Sequence, residues 1–157
     1  FVKELGEDLA DDGVYYYRKY YFKNGLFETS LYDGVKELIE DLYDEGFNIY
    51  LATSKGEESS KKILEYFGIL QYFSYISGSS NDKNTKKKVI EHLLFENDLK
   101  TNESVMIGDR SYDIDASNEL AIKSIAVAYG YGKKEEFENA NFIANKASDI
   151  KKIIMER

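Results

Sequence analysis

Val35-Lys36-Glu37-Leu38-Ile39-Glu40-Asp41-Leu42-Tyr43-Asp44-Glu45-Gly46 runs straight into Phe47-Asn48-Ile49-Tyr50-Leu51-Ala52, and that run ends in Thr53-Ser54-Lys55-Gly56. In the first part Val35, Leu38, Ile39 and Leu42 recur at i, i+3, i+4 and i+7, which puts four apolar side chains on one helix face, with Gly46 as the stop. The second part is short and rich in β-favouring residues, so it reads as a strand. The polar third part is a loop at the carboxyl end of that strand. Helix, strand and loop form one unit, and the repetition of that unit decides the fold.

Downstream the spacing predicts a helix over 58–67 capped by Gly68, a strand over 73–76 and a helix over 85–95. Val105-Met106-Ile107 then reads as a strand entering Gly108-Asp109, followed by a helix over 114–120, strands over 124–128 and 141–144, and a helix over 147–155. Parallel neighbours need a crossover, and helices alternating with strands supply it. The class is therefore α/β, a doubly wound, Rossmann-like parallel sheet with helices on both faces. Ligands of such sheets gather at the carboxyl ends of the strands, here the loops that begin at Thr53, Ser77 and Asp109.

Upstream the character changes. Residues 3–23 follow a helical pattern heavy in aromatics, Val14-Tyr15-Tyr16-Tyr17-Arg18-Lys19-Tyr20-Tyr21-Phe22, closed by Asn24-Gly25. Two short helices are expected there, so residues 1–30 form one part and residues 31–157 the α/β part. The sequence starts with Phe1 and the helical pattern is running within a few positions, which reads as a start inside a longer chain.

Composition narrows the function. The 157 residues are 43% hydrophobic and 15% aromatic, with 14 Tyr and 9 Phe, far above what a disordered chain carries. With 21 Lys and Arg against 29 Asp and Glu the formal charge is −8, which repels nucleic-acid phosphates and anionic lipid. There is no Cys, so a disulfide framework, a thiolate metal site and a Cys nucleophile are all excluded, and a cytoplasmic location is expected. No apolar run approaches the roughly 18 residues of a membrane span, and no signal-peptide core opens the chain.

Three short stretches carry chemistry, and each has two readings. Asp109 and Asp113 lie four positions apart across the start of a helix, where both can face a point beyond the strand, as Mg²⁺ requires; equally, they can cap the helix and suit its positive end. Thr53-Ser54-Lys55 offers a hydroxyl and free amides at a strand mouth, an anion site, or else Ser54 with Glu57 forms an N-terminal capping box. Lys86-Lys87-Lys88 is either a solvated helix face or the source of one functional lysine. The lone His92 falls mid-helix and reads as structural.

In this order, strand-Thr-Ser, then Lys at a helix start, then strand-Gly-Asp-x-x-x-Asp resembles the haloacid dehalogenase superfamily of phosphohydrolases. More narrowly, Leu51-Ala52-Thr53-Ser54-Lys55, Ser77-Gly78-Ser79, Lys86 before Val89-Ile90, residues 107–113 and Ala128-Tyr129-Gly130-Tyr131-Gly132 are similar to its phosphoglycolate phosphatase branch. Residues 17–34 are similar to the end of that branch's helical cap. The resemblance implies a Mg²⁺-dependent phosphatase acting on a small phosphorylated metabolite through an aspartyl-phosphate. By the same resemblance Thr53, Lys86 and Asp109 are catalytic and Thr53, Ser54 and Lys86 bind phosphate. Asp109 and Asp113 serve the metal, and Arg18 is a possible substrate contact. Lys86 is chosen over its neighbours because the family lysine stands three residues before the Val-Ile pair.

The departures are equally specific. The family's first motif, an apolar strand ending in Asp-x-Asp that supplies the nucleophile, occurs nowhere in the sequence, and Asp11-Asp12 have no strand before them. The chain alone is therefore expected to be inactive. Asp33 and Gly56 stand where the family commonly has Pro, and Ala116 where it commonly has Gly. Nucleotide or pyrophosphate hydrolysis on the same core, or a non-catalytic phosphate- or partner-binding fragment, are the alternatives.

Overall fold

Each helix of the α/β part that leads into a strand is followed within two residues by a left-handed one, Gly46, Gly68, Asp98 or Ala121, that turns the chain. In the computed structural model, which describes Gly25 and residues 28–156, helix α1 (Val35–Asp44) closes with Gly46 at φ 86°. The Gly46 amide donates to the Tyr43 carbonyl and the Phe47 amide to Leu42, both at 3.0 Å, the pair of bonds that a left-handed C′ residue allows. Gly68, at φ 66°, does the same after helix α2 (Glu57–Tyr66). Those turns lead into strands β1 (Ile49–Thr53) and β2 (Phe73–Gly78). Helix α3 (Lys86–Glu96), strand β3 (Val105–Gly108), helix α4 (Ser111–Glu119), strands β4 (Lys123–Val127) and β5 (Phe142–Ala144) and helix α5 (Ala147–Met155) complete the order.

The chain divides into two compact units, Phe1–Ser30 and Leu31–Arg157. Arg18 and the helices expected over residues 3–23 lie outside the described residues. The second unit is the α/β architecture expected from the alternating pattern.

All strand pairs are parallel. β1 pairs with β2, with Thr53 opposite Gly78, and β3 pairs with β4 and β4 with β5. The sheet is not continuous, however: β1–β2 and β3–β4–β5 are separate sheets. Between them lies a slot of about 790 Å³ walled by Ile49, Tyr50, Leu51 and Ala52 of β1 and by Val105, Met106 and Ile107 of β3. Ile90 and Leu93 of α3 line it, as do Leu42 of α1 and Ile154 of α5.

Helices tie the two sheets together across that slot. One apolar cluster gathers Leu38, Leu42, Ile125, Val127, Ala144 and Ile150, with Ile49 of β1 and Val105 of β3 packed against it. Another gathers Ile90, Ala116 and Ile122, with Ala52 of β1 and Met106 of β3. Ile114 and Ile125 are fully buried, each contributing about 1.5–3 kcal/mol by leaving water. β4, paired on both sides, is buried along four of its five residues, whereas β1 is only half-buried throughout.

Candidate active site

The carboxyl end of β1 and the helix start that follows β3 lie within reach of one side chain. Lys86, the first residue of α3, donates from Nζ to the Ala52 carbonyl at 2.9 Å and stands 2.9 Å from Asp113 Oδ1. Both charged side chains are largely withdrawn from water, at 10% and 6% exposure. Thr85 places Lys86 there: its hydroxyl oxygen accepts the Lys88 amide at 3.3 Å and caps α3. Lys87 turns the other way and pairs with Glu119 in solvent, and Lys88 is exposed. Of the three lysines, the geometry brings only Lys86 to the strand ends.

Asp113 is held by its backbone position and by one of its two oxygens. Oδ2 accepts the Arg110 amide at 3.3 Å, closing the first turn of α4. The Ser117 hydroxyl donates to its carbonyl at 2.6 Å. Oδ1 is paired with the Lys86 ammonium at 2.9 Å and accepts no aligned hydrogen bond. Helix capping through Oδ2 and an ion pair through Oδ1 thus coexist on one residue. Gly108 permits this approach, because a β-carbon there would lie 2.6 Å from Asp113 Oδ2.

Asp109 does not cap the helix. Its Oδ2 accepts the Tyr131 amide at 2.9 Å, from the loop after β4. Asp109, with only Oδ2 engaged, and Asp113, with Oδ1 paired to Lys86, fit part of an oxygen-ligand set for Mg²⁺ in which Asp113 has the supporting place, since Mg²⁺ completes its octahedron with water and phosphate. Among the described residues, no group of three His, Cys, Asp or Glu side chains is placed to hold a metal ion.

At the end of β1 the Thr53 hydroxyl oxygen accepts the Lys55 amide at 3.1 Å, which leaves the hydroxyl proton free to donate. The capping box expected from Ser54 and Glu57 is not formed, and α2 has Gly56 as its N-cap without a side-chain bond. Glu57 is drawn instead to Lys83 at 2.9 Å and to the Gly78 amide at 3.5 Å. The Lys83 hydrogen bond, aided by Gly78, holds its carboxyl below the ordinary range against the opposing effect of burial. Ser77, expected to begin a loop, lies inside β2, and its hydroxyl donates to the Val89 carbonyl at 2.9 Å. His92 sits beside the Tyr75 hydroxyl at 3.4 Å, away from these residues.

Two features had no sequence signal of their own. Glu136 accepts the Ser111 and Lys133 amides, at 3.0 and 3.1 Å, and the Arg110 guanidinium at 3.1 Å. Those donors pull its carboxyl down to about 2 and tie the start of α4 to the segment after β4. Tyr32, Tyr129 and Tyr131 meet edge to face, with Tyr32 centroids 5.4 and 6.2 Å from the other two. Burial, then the negative charge of Asp109, raises the Tyr32 phenol.

The family model described as haloacid dehalogenase-like hydrolase matches residues 2–127. The chain is 37% identical over 133 residues to the tyrosine-protein kinase PtkA of Mycobacterium tuberculosis, covering 83% of this chain and 45% of that protein. It is 34% identical to a 5'-nucleotidase of Pseudomonas aeruginosa, over 87% of this chain and 63% of the other. To a phosphoglycolate phosphatase of Vibrio parahaemolyticus it is 30% identical, over 96% and 68%. A solved structure of a predicted phosphatase from Clostridium acetobutylicum superposes with a TM-score of 0.86 at 40% identity, covering 92% of this chain and 68% of that one. The chain thus spans about half the length of the first relative and about two thirds of the others.

Proposed function

Because the chain belongs to the haloacid dehalogenase-like hydrolase family, we propose that it carries the phosphate- and metal-binding groups of a cytoplasmic, Mg²⁺-dependent phosphatase for a small phosphomonoester of the phosphoglycolate kind. The observation that carries this is the placement of Lys86: a nearly buried cation joins the end of β1 to the carboxylate that follows β3. Phosphoryl transfer asks a protein mainly for positioning and for positive charge around oxygens that gain negative charge.

The chain's own residues divide that work. Thr53 donates its hydroxyl proton to a phosphoryl oxygen, aided by the Ser54 amide, while its own oxygen is already occupied by Lys55. Lys86 offsets charge on the transferring group, with Ala52 and Asp113 fixing its position. Asp109 and Asp113 hold Mg²⁺, with Asp113 in the orienting role. Bound there, Mg²⁺ supplies further positive charge and aligns the phosphoryl oxygens. The attacking carboxylate comes from outside these 157 residues, which contain no apolar strand ending in Asp-x-Asp.

A nucleoside monophosphate is the second reading, favoured by the 34% identity to a 5'-nucleotidase. Phosphate release from 2-phosphoglycolate, nucleoside 5'-monophosphates and pyrophosphate, by an enzyme combining this chain with a nucleophile-bearing strand, separates them. The highest kcat/KM is expected for phosphoglycolate, and a nucleotide or pyrophosphate preference moves the assignment. Release from none, with inorganic phosphate still bound, points to a non-catalytic phosphate-binding role. Mg²⁺-dependent turnover of p-nitrophenyl phosphate by the 157-residue chain alone overturns the placement of the nucleophile.

A further inference from the structure

We infer that residues 130–132 form a cradle that fixes the carboxylate of Asp109 in a single orientation, reserving Oδ1 for a ligand. Three observations converge on it. The Tyr131 amide donates to Asp109 Oδ2 at 2.9 Å although Tyr131 as a residue is 85% exposed, so burial of its side chain does not account for the bond. A β-carbon at position 130 would collide with the Asp109 side chain, lying 2.6 Å from Oδ2 and 2.9 Å from Cγ. A β-carbon at position 132 would collide with the Asp109 carbonyl oxygen and lie 2.7 Å from Cζ of Phe137.

Neither glycine has a positive φ. Glycine is required at 130 and 132 for room, not for a left-handed backbone, and the room is filled by Asp109. Both ends of the loop are anchored: the Gly130 amide donates to the Val127 carbonyl at 3.3 Å, and the Lys133 amide to Glu136, which also holds the Ser111 amide. Among the described residues no hydrogen bond reaches Asp109 Oδ1. Tyr131, Gly130 and Gly132 are therefore positioning residues that act through Asp109, and groups that orient a ligand typically change metal affinity 10- to 100-fold when lost.

The metal part of this inference rests on Asp109 as a Mg²⁺ ligand; the cradle itself does not, and the test separates the two. In the metal-free 157-residue chain, the Tyr131 amide should exchange with solvent at least about tenfold more slowly than an open amide. Asp109→Ala should abolish that protection while the Ile125 amide, in the buried strand β4, stays protected. Mn²⁺ is then titrated as a paramagnetic probe, read by broadening of the Gly108 amide. Gly130→Ala should raise the half-saturating concentration about 10- to 100-fold, and should add nothing to Asp109→Asn when the two are combined. Gly132→Ala threatens the backbone itself, so Gly130→Ala is the deciding variant, with Ile125 protection as its folding control.

A Tyr131 amide indifferent to Asp109→Ala overturns the cradle. So does wild-type Mn²⁺ affinity in Gly130→Ala when Asp109→Asn binds more weakly. If Tyr131 responds to Asp109→Ala while Asp109→Asn leaves Mn²⁺ binding unchanged, the cradle stands and the metal assignment of Asp109 falls.

Discussion

Lys86 and Asp113 form an ion pair at 2.9 Å in which neither group keeps more than a tenth of its side chain in water, and the lysine's aligned hydrogen bond goes to the Ala52 carbonyl rather than to the carboxylate. Removing one member of such a pair strands the other. Lys86→Ala should cost about 3 kcal/mol of stability, since Asp113 would be left charged and buried. Lys87→Ala, which breaks the exposed pair with Glu119, should change stability far less, because solvent screens that pair. Urea unfolding of the two variants measures this. In an enzyme that supplies the nucleophile, Lys86→Ala should also lower kcat about 10²-fold or more, and Lys87→Ala and Lys88→Ala should be mild. Equal behaviour of the three would make the basic run a solvated face.

The two carboxylates of the β3 loop should separate in a metal titration. Asp113 spends Oδ2 on the Arg110 amide, a role that Asn fills about as well. Asp109 makes no such bond within α4. Mg²⁺ activation should therefore weaken more in Asp109→Asn than in Asp113→Asn, since loss of a directly bound charge harms more than loss of an orienting group. Calorimetric Mg²⁺ titration beside turnover, in the same nucleophile-supplied enzyme, reads the order. Unchanged affinity in both would leave helix capping by Asp113 and the Tyr131 bond of Asp109 as the whole account of this loop.

How much of this was legible depended on whether cause and effect were close in sequence. Leu38 and Leu42 announce α1 by their spacing, and the observed core buries both. Val105 to Gly108 forms the expected strand, but the helix expected over 114–120 starts three residues earlier, at Ser111, because the Asp113 carboxylate accepts the Arg110 amide and closes a first turn there. Strand ends differ by one to two residues, as at β1, because Gly46 and Phe47 are consumed in closing the preceding helix. Pairings distant in sequence were not legible. Glu57 looked like a capping partner for Ser54, but Lys83 and the Gly78 amide outbid it. Nothing local to Gly130 says that Asp109 will occupy the space it leaves, whereas the gap between β1 and β3 is what the absence of the Asp-x-Asp strand led one to expect.

Acid should loosen the join between α4 and the segment after β4. Glu136 is held near 2 by the Ser111 and Lys133 amides and the Arg110 guanidinium, against 4.5 for a free glutamate. A carboxyl depressed in the folded state contributes stability that is fully present above about 4.5 and is lost as pH falls toward 2. Thermal unfolding of Glu136→Gln should therefore depend less on pH in that window than the wild type. At the other extreme, burial raises the Tyr129 phenol. Its contribution is intact below pH 10 and is lost as pH rises through the folded-state value, so Tyr129→Phe should blunt alkaline unfolding.

The slot sets the last expectation. β4 has a partner on each side and four buried residues, while β1 and β3 each have one partner and face the 790 Å³ gap with the other edge. Backbone groups on an unpaired edge have no ladder to protect them, and open edges of β-branched and aromatic residues tend to recruit other strands. In dilute solution of the 157-residue chain, amides of β4 such as Ile125 and Ala126 should be the slowest to exchange. Those of Tyr50, Leu51, Met106 and Ile107 should be faster on average, since about half of the amides in each strand point away from its partner. Raising the protein concentration should slow exchange in β1 and β3 selectively, together with a rise in sedimentation coefficient, as the edges find one another. Uniform protection across β1, β3 and β4 at all concentrations would mean that both edges are already covered, and that the two sheets behave in solution as one.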